Sequence, residues 1–511
     1  MSRDSESATS TRRRFLQMSA AALTGAAAAA SSAASEQPDT IGDVQTTGDP
    51  DLTRLTIAEA ANQLSKRRLS PVELTNAVLA RIARVDSKVG AFITVASEQA
   101  LDAARGLERD ISRGRYRGPL HGIPVAVKDT HYTRGIRTTA ASPVLHEFVP
   151  EFDATIVERL KASGAILIGK LNLPEFSFGG YTPGCHNPWD LTRNPGGSSG
   201  GSAAALAASM VLGATGGDTS GSIRNPASAC GVVGLKPTFG LVSRHGVVPI
   251  SWTLDHLGPM ARTVRDTAIL LHAIAGHDSR DSYSARVQVP DYPALLDRSL
   301  RGMRIGVIAA PAIADFHPEV QRAFADAVAV LEQLGARLRE IVFPTRMTVA
   351  GASHGIIRIS EAAAYHRPYL TSAAADRYLS DVGRSGPDVS RVRTTVEAGT
   401  LITAAQYLQA QRARALFIDD MMRAYEPIDA LVSPTMPAPA GVPVPAVETY
   451  RSWWNLSGFP AISVPCGFSS DPPGLPLGLQ ISARPFADAL VLAIGHAYES
   501  ATLWHTRRPA I

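Results

Sequence analysis

Three observations predict an α/β protein. Strand-like and helix-like signals alternate from about residue 55 to the C terminus of this 511-residue chain. Its 45% hydrophobic and 19% charged residues are enough for one large core and argue against disorder. No linker cuts the chain after residue 51. Together these features predict a single large domain over 51–511, a mixed or parallel β-sheet flanked by helices.

The first elements are helical. Thr56 to Glu59 and Ser70 to Glu73 have capping-box spacing, in which a hydroxyl and a carboxylate close reciprocal hydrogen bonds over the first turn. Pro71 takes the first helical position, where its missing N–H leaves no bond unmade. Leu74, Ala77, Val78, Ile82 and Val85 then form an apolar face that Arg81 interrupts. Residues 91–95 read as a strand and 97–113 as a helix. Strand signals return at 125–127 and 165–168, with a helix over 155–163 between them. Residues 303–308 read as a strand. Val320, Phe324, Ala327, Val328, Leu331 and Leu334 recur at helical spacing, and 338–343 resume strand character. An Ala- and Arg-rich stretch over 345–425 reads as helical.

Residues 1–34 read as a targeting segment. Thr11-Arg12-Arg13-Arg14-Phe15-Leu16-Gln17 carries a twin-arginine pattern, followed by an Ala-rich run and small residues at Ser32-Ala33-Ala34. This twin-arginine signal peptide predicts recognition by the twin-arginine export machinery and a periplasmic or secreted location, with 35–50 as a polar tether. The apolar run is short and broken by Ser, Thr and Gly, so no stable membrane anchor is expected. A formal charge of +4, about +2 without residues 1–34, gives no electrostatic case for nucleic acid. Cys185, Cys230 and Cys466 fit no zinc spacing, and three cysteines cannot complete a disulfide framework.

The chemistry concentrates between residues 194 and 238. Asn194-Pro195-Gly196-Gly197-Ser198-Ser199-Gly200-Gly201-Ser202 is too rich in glycine for a helix interior or a packed strand. The small apolar residues that follow read as a buried helix over 202–212. A second loop, Gly216-Gly217-Asp218-Thr219-Ser220-Gly221-Ser222-Ile223-Arg224-Asn225-Pro226, brings a second serine cluster. Eleven helical residues advance about 16 Å, and nine extended ones can return up to roughly 30 Å. Ser198 and Ser222 can therefore lie side by side.

A serine needs a base to become a nucleophile. Gly122-Ile123-Pro124-Val125-Ala126-Val127-Lys128-Asp129 supplies one, a lysine at the end of a buried strand. Of the 50 Lys and Arg residues only six are lysines (66, 88, 128, 161, 170 and 236), which leaves 44 arginines. Arginine cannot give up its proton in a protein, whereas a desolvated lysine can. Burial would have to lower its pKa by about three units. Lys170 and Lys236 read as structural, and Arg224 as an anchor for its loop.

These segments resemble the core of the amidase signature family, and the resemblance extends over about 55–509, including Asn455 to Ala461 and Gly474 to Gln480. It implies one large domain with a mixed β-sheet core flanked by helices, and an amidohydrolase cleaving a linear carboxamide. Carried over by position, it makes Ser222 the acylated nucleophile, Ser198 the serine after a cis peptide bond, and Lys128 the base acting through Ser198. It assigns the oxyanion hole to the backbone N–H groups of Thr219, Ser220, Gly221 and Ser222. It implies a small-molecule amide substrate and neither metal nor organic cofactor. Gly217 and Ser220 depart from the family, which has Thr or Ser and Gly there; a Cβ at 220 is expected to narrow the acyl pocket.

Two alternatives compete. Gly196-Gly197-Ser198-Ser199-Gly200 satisfies the G-x-S-x-G nucleophile elbow of α/β-hydrolases, in which Ser198 would attack and a late histidine, His496 or His505, would be the base. That motif should follow a strand, yet 187–195 reads as loop, and it leaves Lys128 and the Ser222 loop unused. The other alternative is a non-catalytic exported binding protein using the same cleft.

Overall fold

Local signals set the ends of many elements. The computed structural model describes residues 51–342, 347–379, 391–443, 450–471 and 474–511; the expected signal segment and tether lie outside them. Both capping boxes form, at Thr56–Glu59 before α1 (Ile57–Ser65) and at Ser70–Glu73 before α2 (Pro71–Val89). α3 (Ser97–Ser112), α4 (Thr155–Ala162), α5 (Gly200–Ala207), α6 (Arg224–Cys230) and α7 (Val264–Ile274) follow. Then come α8 (Pro318–Gln333), α9 (Met347–Leu370), α10 (Val392–Gly399), α11 (Ala404–Ala424), α12 (Trp453–Ser457) and α13 (Asp488–Ser500).

The strands are β1 (Phe92–Val95), β2 (Pro124–Lys128), β3 (Ile166–Leu171), β4 (Gly213–Asp218), β5 (Val233–Lys236) and β6 (His256–Ala261). The C-terminal part adds β7 (Arg304–Ile308), β8 (Arg337–Ile341), β9 (Ala430–Pro434), β10 (Ala461–Phe468) and β11 (Pro476–Ala483). All eleven join one sheet in the order β1-β3-β2-β4-β6-β5-β10-β11-β9-β7-β8. The sheet is mixed: β2 runs parallel to β3 and β4, and β7 parallel to β8 and β9, while the strands between pair antiparallel. β2 and β3 are buried along their whole lengths, as parallel strands covered on both faces must be. Residues 51–511 form one compact unit, and no helix among the described residues is long and apolar enough to cross a membrane.

The buried helix differs from the expected 202–212. α5 starts at Gly200 and ends at Ala207; Ser209 turns left-handed at φ 57°, and Met210 N–H donates to Ala205 C=O at 2.8 Å. That 6→1 bond closes the helix and lets the chain enter β4. A run that is small and apolar on every side carries no periodic mark of where it stops. β4 in turn takes in the first three residues of the stretch expected as a second loop. Gly216 suits a strand there because a Cβ would meet Ile223 Cγ1 and Ser199 Oγ at 2.8 Å.

α9, α10 and α11 supply the expected helical region. α9 and α10 pack over the sheet's active edge through a separate apolar cluster that includes Phe176, Val248, Ala362, Tyr378 and Val396. Expected strand residue Phe343 and residues 380–390 fall outside the described residues.

Gly201 makes the tightest approach to backbone atoms in the first serine loop. A Cβ there would lie 2.4 Å from Asn172 N and 2.5 Å from Ala91 O, both backbone atoms that cannot step aside. Gly201→Ala is expected to lower the stability by about 3 kcal/mol or more, read as a reduced urea midpoint at unchanged slope.

Candidate active site

Lys128 is the last residue of β2, an interior strand between β3 and β4, and its amine faces the two serine loops. Lys128 Nζ lies 2.7 Å from Ser198 Oγ, and both side chains are buried. The Gly197–Ser198 peptide bond is cis. The loops are knitted backbone to side chain: Ser199 N–H donates to Ser222 C=O at 3.1 Å, Gly217 N–H to Ser199 Oγ at 3.2 Å, and Ser202 Oγ to Thr215 C=O at 2.9 Å. The two serines are thereby brought to adjoining loops, as their spacing allowed. Ser222 is half-buried, and no hydrogen bond joins its hydroxyl to Ser198 among the described residues.

Burial pushes the Lys128 pKa down to about 7, against the opposing pull of the Asp255 and Asp218 carboxylates. A cleft of about 470 Å³ opens over the pair; Lys128, Ser198, Thr219, Trp252, Asp255 and His256 are among its lining residues, whereas Ser220, Gly221 and Ser222 are not.

The second serine loop is held by a buried ion pair. Asp218 accepts from Gly221 N–H at 2.7 Å and Ile223 N–H at 3.0 Å, and pairs with Arg224 Nε at 3.1 Å, both side chains being sealed from solvent. Burial alone would raise the Asp218 pKa, but Arg224 beside it holds the carboxyl well below the usual range. Arg224 is the anchor its sequence position suggested: it also donates to Gln480 Oε1 at 2.7 Å and Asn455 Oδ1 at 2.8 Å.

This brace engages one of the expected oxyanion donors. Gly221 N–H already donates to Asp218. The N–H groups of Thr219, Ser220 and Ser222 make no hydrogen bond among the described residues. Ser220 does not stand alone as a wall of the acyl pocket either. Its hydroxyl lies 3.2 Å from His354 Nε2, whose N–H donates to Thr219 C=O at 2.8 Å. Burial lowers the His354 pKa to about 4, so the ring is neutral near neutral pH.

Lys170 and Lys236 are structural, as expected. Lys170 pairs with Asp129 at 3.2 Å, and Lys236 Nζ donates to Phe459 C=O at 2.5 Å. The nucleophile-elbow alternative finds no base: His496 sits 3.4 Å from Asp297, and neither it nor His505 lines the cleft. Residues 191–195 before Ser198 hold no strand. Asp255, His354 and Asn455 were missed as supports of the site. Asp255 accepts from Thr219 Oγ1 at 2.6 Å, but nothing local in the sequence marks a residue 36 positions away as its partner.

A family model described as Amidase matches residues 73–492. The chain belongs to the amidase family. It is accordingly a hydrolase acting on carbon–nitrogen bonds, of the Ser-Ser-Lys kind. A curated relative, a glutamyl-tRNA(Gln) amidotransferase subunit of Geotalea daltonii, is 41% identical over 489 residues, covering 90% of this chain and 100% of its own. Among solved structures, native peptide amidase from Stenotrophomonas maltophilia is 31% identical with a TM-score of 0.78, covering 89% of this chain and 98% of its own. The corresponding glutamyl-tRNA(Gln) amidotransferase subunit from Thermotoga maritima is 35% identical with a TM-score of 0.72, covering 88% and 96%. The amidotransferase relatives stand against the expected periplasmic or secreted location, which is not upheld.

Removing the positive partner of a sealed ion pair leaves its carboxylate uncompensated. Arg224→Met is expected to lower stability by about 3–5 kcal/mol, measured by urea denaturation, and to reduce amide turnover in whatever fraction remains folded.

Proposed function

We propose that this amidase hydrolyses a linear carboxamide through an acyl-enzyme on Ser222. Neutral Lys128 accepts the Ser198 hydroxyl proton as Ser198 takes the proton of Ser222, and Ser222 Oγ attacks the amide carbonyl carbon. The oxyanion is held by the N–H groups of Thr219, Ser220 and Ser222, each worth about 10²–10³-fold by analogy with donor deletions elsewhere. The proton on Lys128 returns through Ser198 to the departing nitrogen, because an amine leaves poorly until protonated. Water then attacks the ester carbonyl and gives its proton to the same relay, which returns it to Ser222 Oγ as the Oγ–acyl bond breaks and the carboxylic acid leaves.

One observation carries this reading: a lysine with a pKa near 7 lies within hydrogen-bond reach of the serine that adjoins the proposed nucleophile loop. The second link, Ser198 to Ser222, belongs to a class of catalytic contacts that commonly tighten only with substrate in place. A second reading is favoured by the full-length match to the Geotalea daltonii protein: the chain would act as one component of an amidotransferase. Release of ammonia or amine from a simple amide by the isolated chain, lost in Ser222→Ala, supports the first reading.

The sign of the pH dependence follows from the base. The working form of Lys128 is neutral, so kcat/KM is expected to be level above pH 8 and to fall about tenfold for each pH unit below 7. Lys128→Arg and Lys128→Ala should both lose about 10²–10⁴-fold, because arginine keeps the charge and cannot accept a proton. Substantial activity in the arginine variant would mean that position 128 acts only by its charge.

A fluorophosphonate serine probe followed by peptide mass spectrometry should modify Ser222. Modification at Ser198 instead contradicts the assignment.

A further inference from the structure

The covering helix α9 carries a cation with no counter-charge. Arg358 lies over the Phe178 ring, its guanidinium carbon 5.7 Å from the centroid, and burial depresses its pKa. It makes no hydrogen bond and no ion pair among the described residues. Its nitrogens are also absent from the polar atoms sealed without a partner, so they reach open space. Other buried arginines here make hydrogen bonds: Arg224 to Asp218, Arg262 to Val211 C=O at 2.8 Å although its Nε has no partner, and Arg414 to Leu456 C=O at 2.8 Å. Arginine cannot shed its charge when water is removed, so a guanidinium that is desolvated yet open on one side is prepared for an anion.

Its position connects it to the chemistry. His354, one turn earlier on α9, holds the Thr219 carbonyl of the second serine loop. Side chains one turn apart on a helix lie roughly 5–6 Å apart at Cβ. Phe178 precedes Gly180 and Tyr181, whose backbone packs on the first serine loop: a Cβ on Gly197 would lie 3.0 Å from Gly180 C and 3.1 Å from Tyr181 N. Arg358 therefore lies one turn from the residue that holds the second serine loop and over a ring two positions before the segment that packs on the first, although it does not itself line the 470 Å³ cleft.

We propose that Arg358 recognises a carboxylate on the substrate, so that the preferred amides carry a carboxylate a few bonds from the scissile C–N bond. A guanidinium meets a carboxylate through two parallel charge-assisted hydrogen bonds. The proposal rests on the reading of Ser222 as the acylated nucleophile.

Two substrate pairs test it, one for each side of the scissile bond. N-succinyl-4-nitroaniline is compared with N-butyryl-4-nitroaniline, and 4-butyramidobenzoate with 4-butyramidoacetophenone. The unmodified enzyme is expected to favour the carboxylate member of one pair by about 10–100-fold in kcat/KM. Arg358→Met should bring that ratio near one, and Arg358→Lys should restore part of it. Turnover of both pairs without preference, or a preference that Arg358→Met leaves intact, overturns the proposal.

Binding separates this proposal from the acyl-enzyme reading. In Ser222→Ala protein, the carboxylate member of at least one pair should raise Tm more than its neutral counterpart, and adding Arg358→Met should erase the difference. A surviving binding difference without turnover of any substrate by the unmodified enzyme sinks the acyl-enzyme reading and leaves the anion site standing. Equal Tm shifts sink the anion site.

Discussion

The buried pair of Asp218 and Arg224 is the constraint on which the active edge depends. Asp218 ends β4, and Arg224 begins α6, so the pair fixes the turn between them and with it Ser222. Arg224 also reaches β11 through Gln480 and α12 through Asn455, which ties the turn to segments more than 230 positions away. A charge pair without solvent tolerates little movement, because any lengthening leaves two desolvated ions poorly compensated. The Asp218 carboxylate reaches Lys128 as well, where it opposes the effect of burial. The same interaction thus shapes the second serine loop and moderates the pKa of Lys128.

Lys128 reflects a balance of two large terms. Complete burial favours the neutral amine, while Asp218 and Asp255 favour the ammonium. Lys170 and Lys236 show what other surroundings do. Lys170 lies against Asp129, and Lys236 hands its protons to backbone carbonyls. Neither has a serine hydroxyl as partner. The same residue type, equally buried, is therefore the proposed base in one place and a strut in the others, according to what its nitrogen touches.

Much of the architecture was legible because its signals are local. Capping boxes at Thr56 and Ser70, the apolar runs of β2 and β3, and the alternation of elements each concern a few neighbouring residues. The end of α5 was not legible, since Ala203 to Leu212 are alike in size and polarity. At the site, Lys128, Ser198 and Ser222 could be named from composition, glycine-rich loops and family resemblance. The fate of the Gly221 N–H could not: every residue from 219 to 222 offers a backbone donor, and only the folded position of Asp218 shows which one is taken. His354 and Asp255 were equally silent, being a histidine within a long helix and an acid in a loop.

The sequence by itself determined the class of fold, the family and the three side chains around which the chemistry is proposed, because glycine, serine and a rare lysine carry their conformational and acid–base character wherever they stand. It also suggested export, which the relatives do not support. Tertiary structure alone decided the pKa of Lys128, the donors left facing a substrate, and the isolation of Arg358. Those properties depend on how much water is excluded and on which distant groups replace it, and neither is written in the neighbours along the chain.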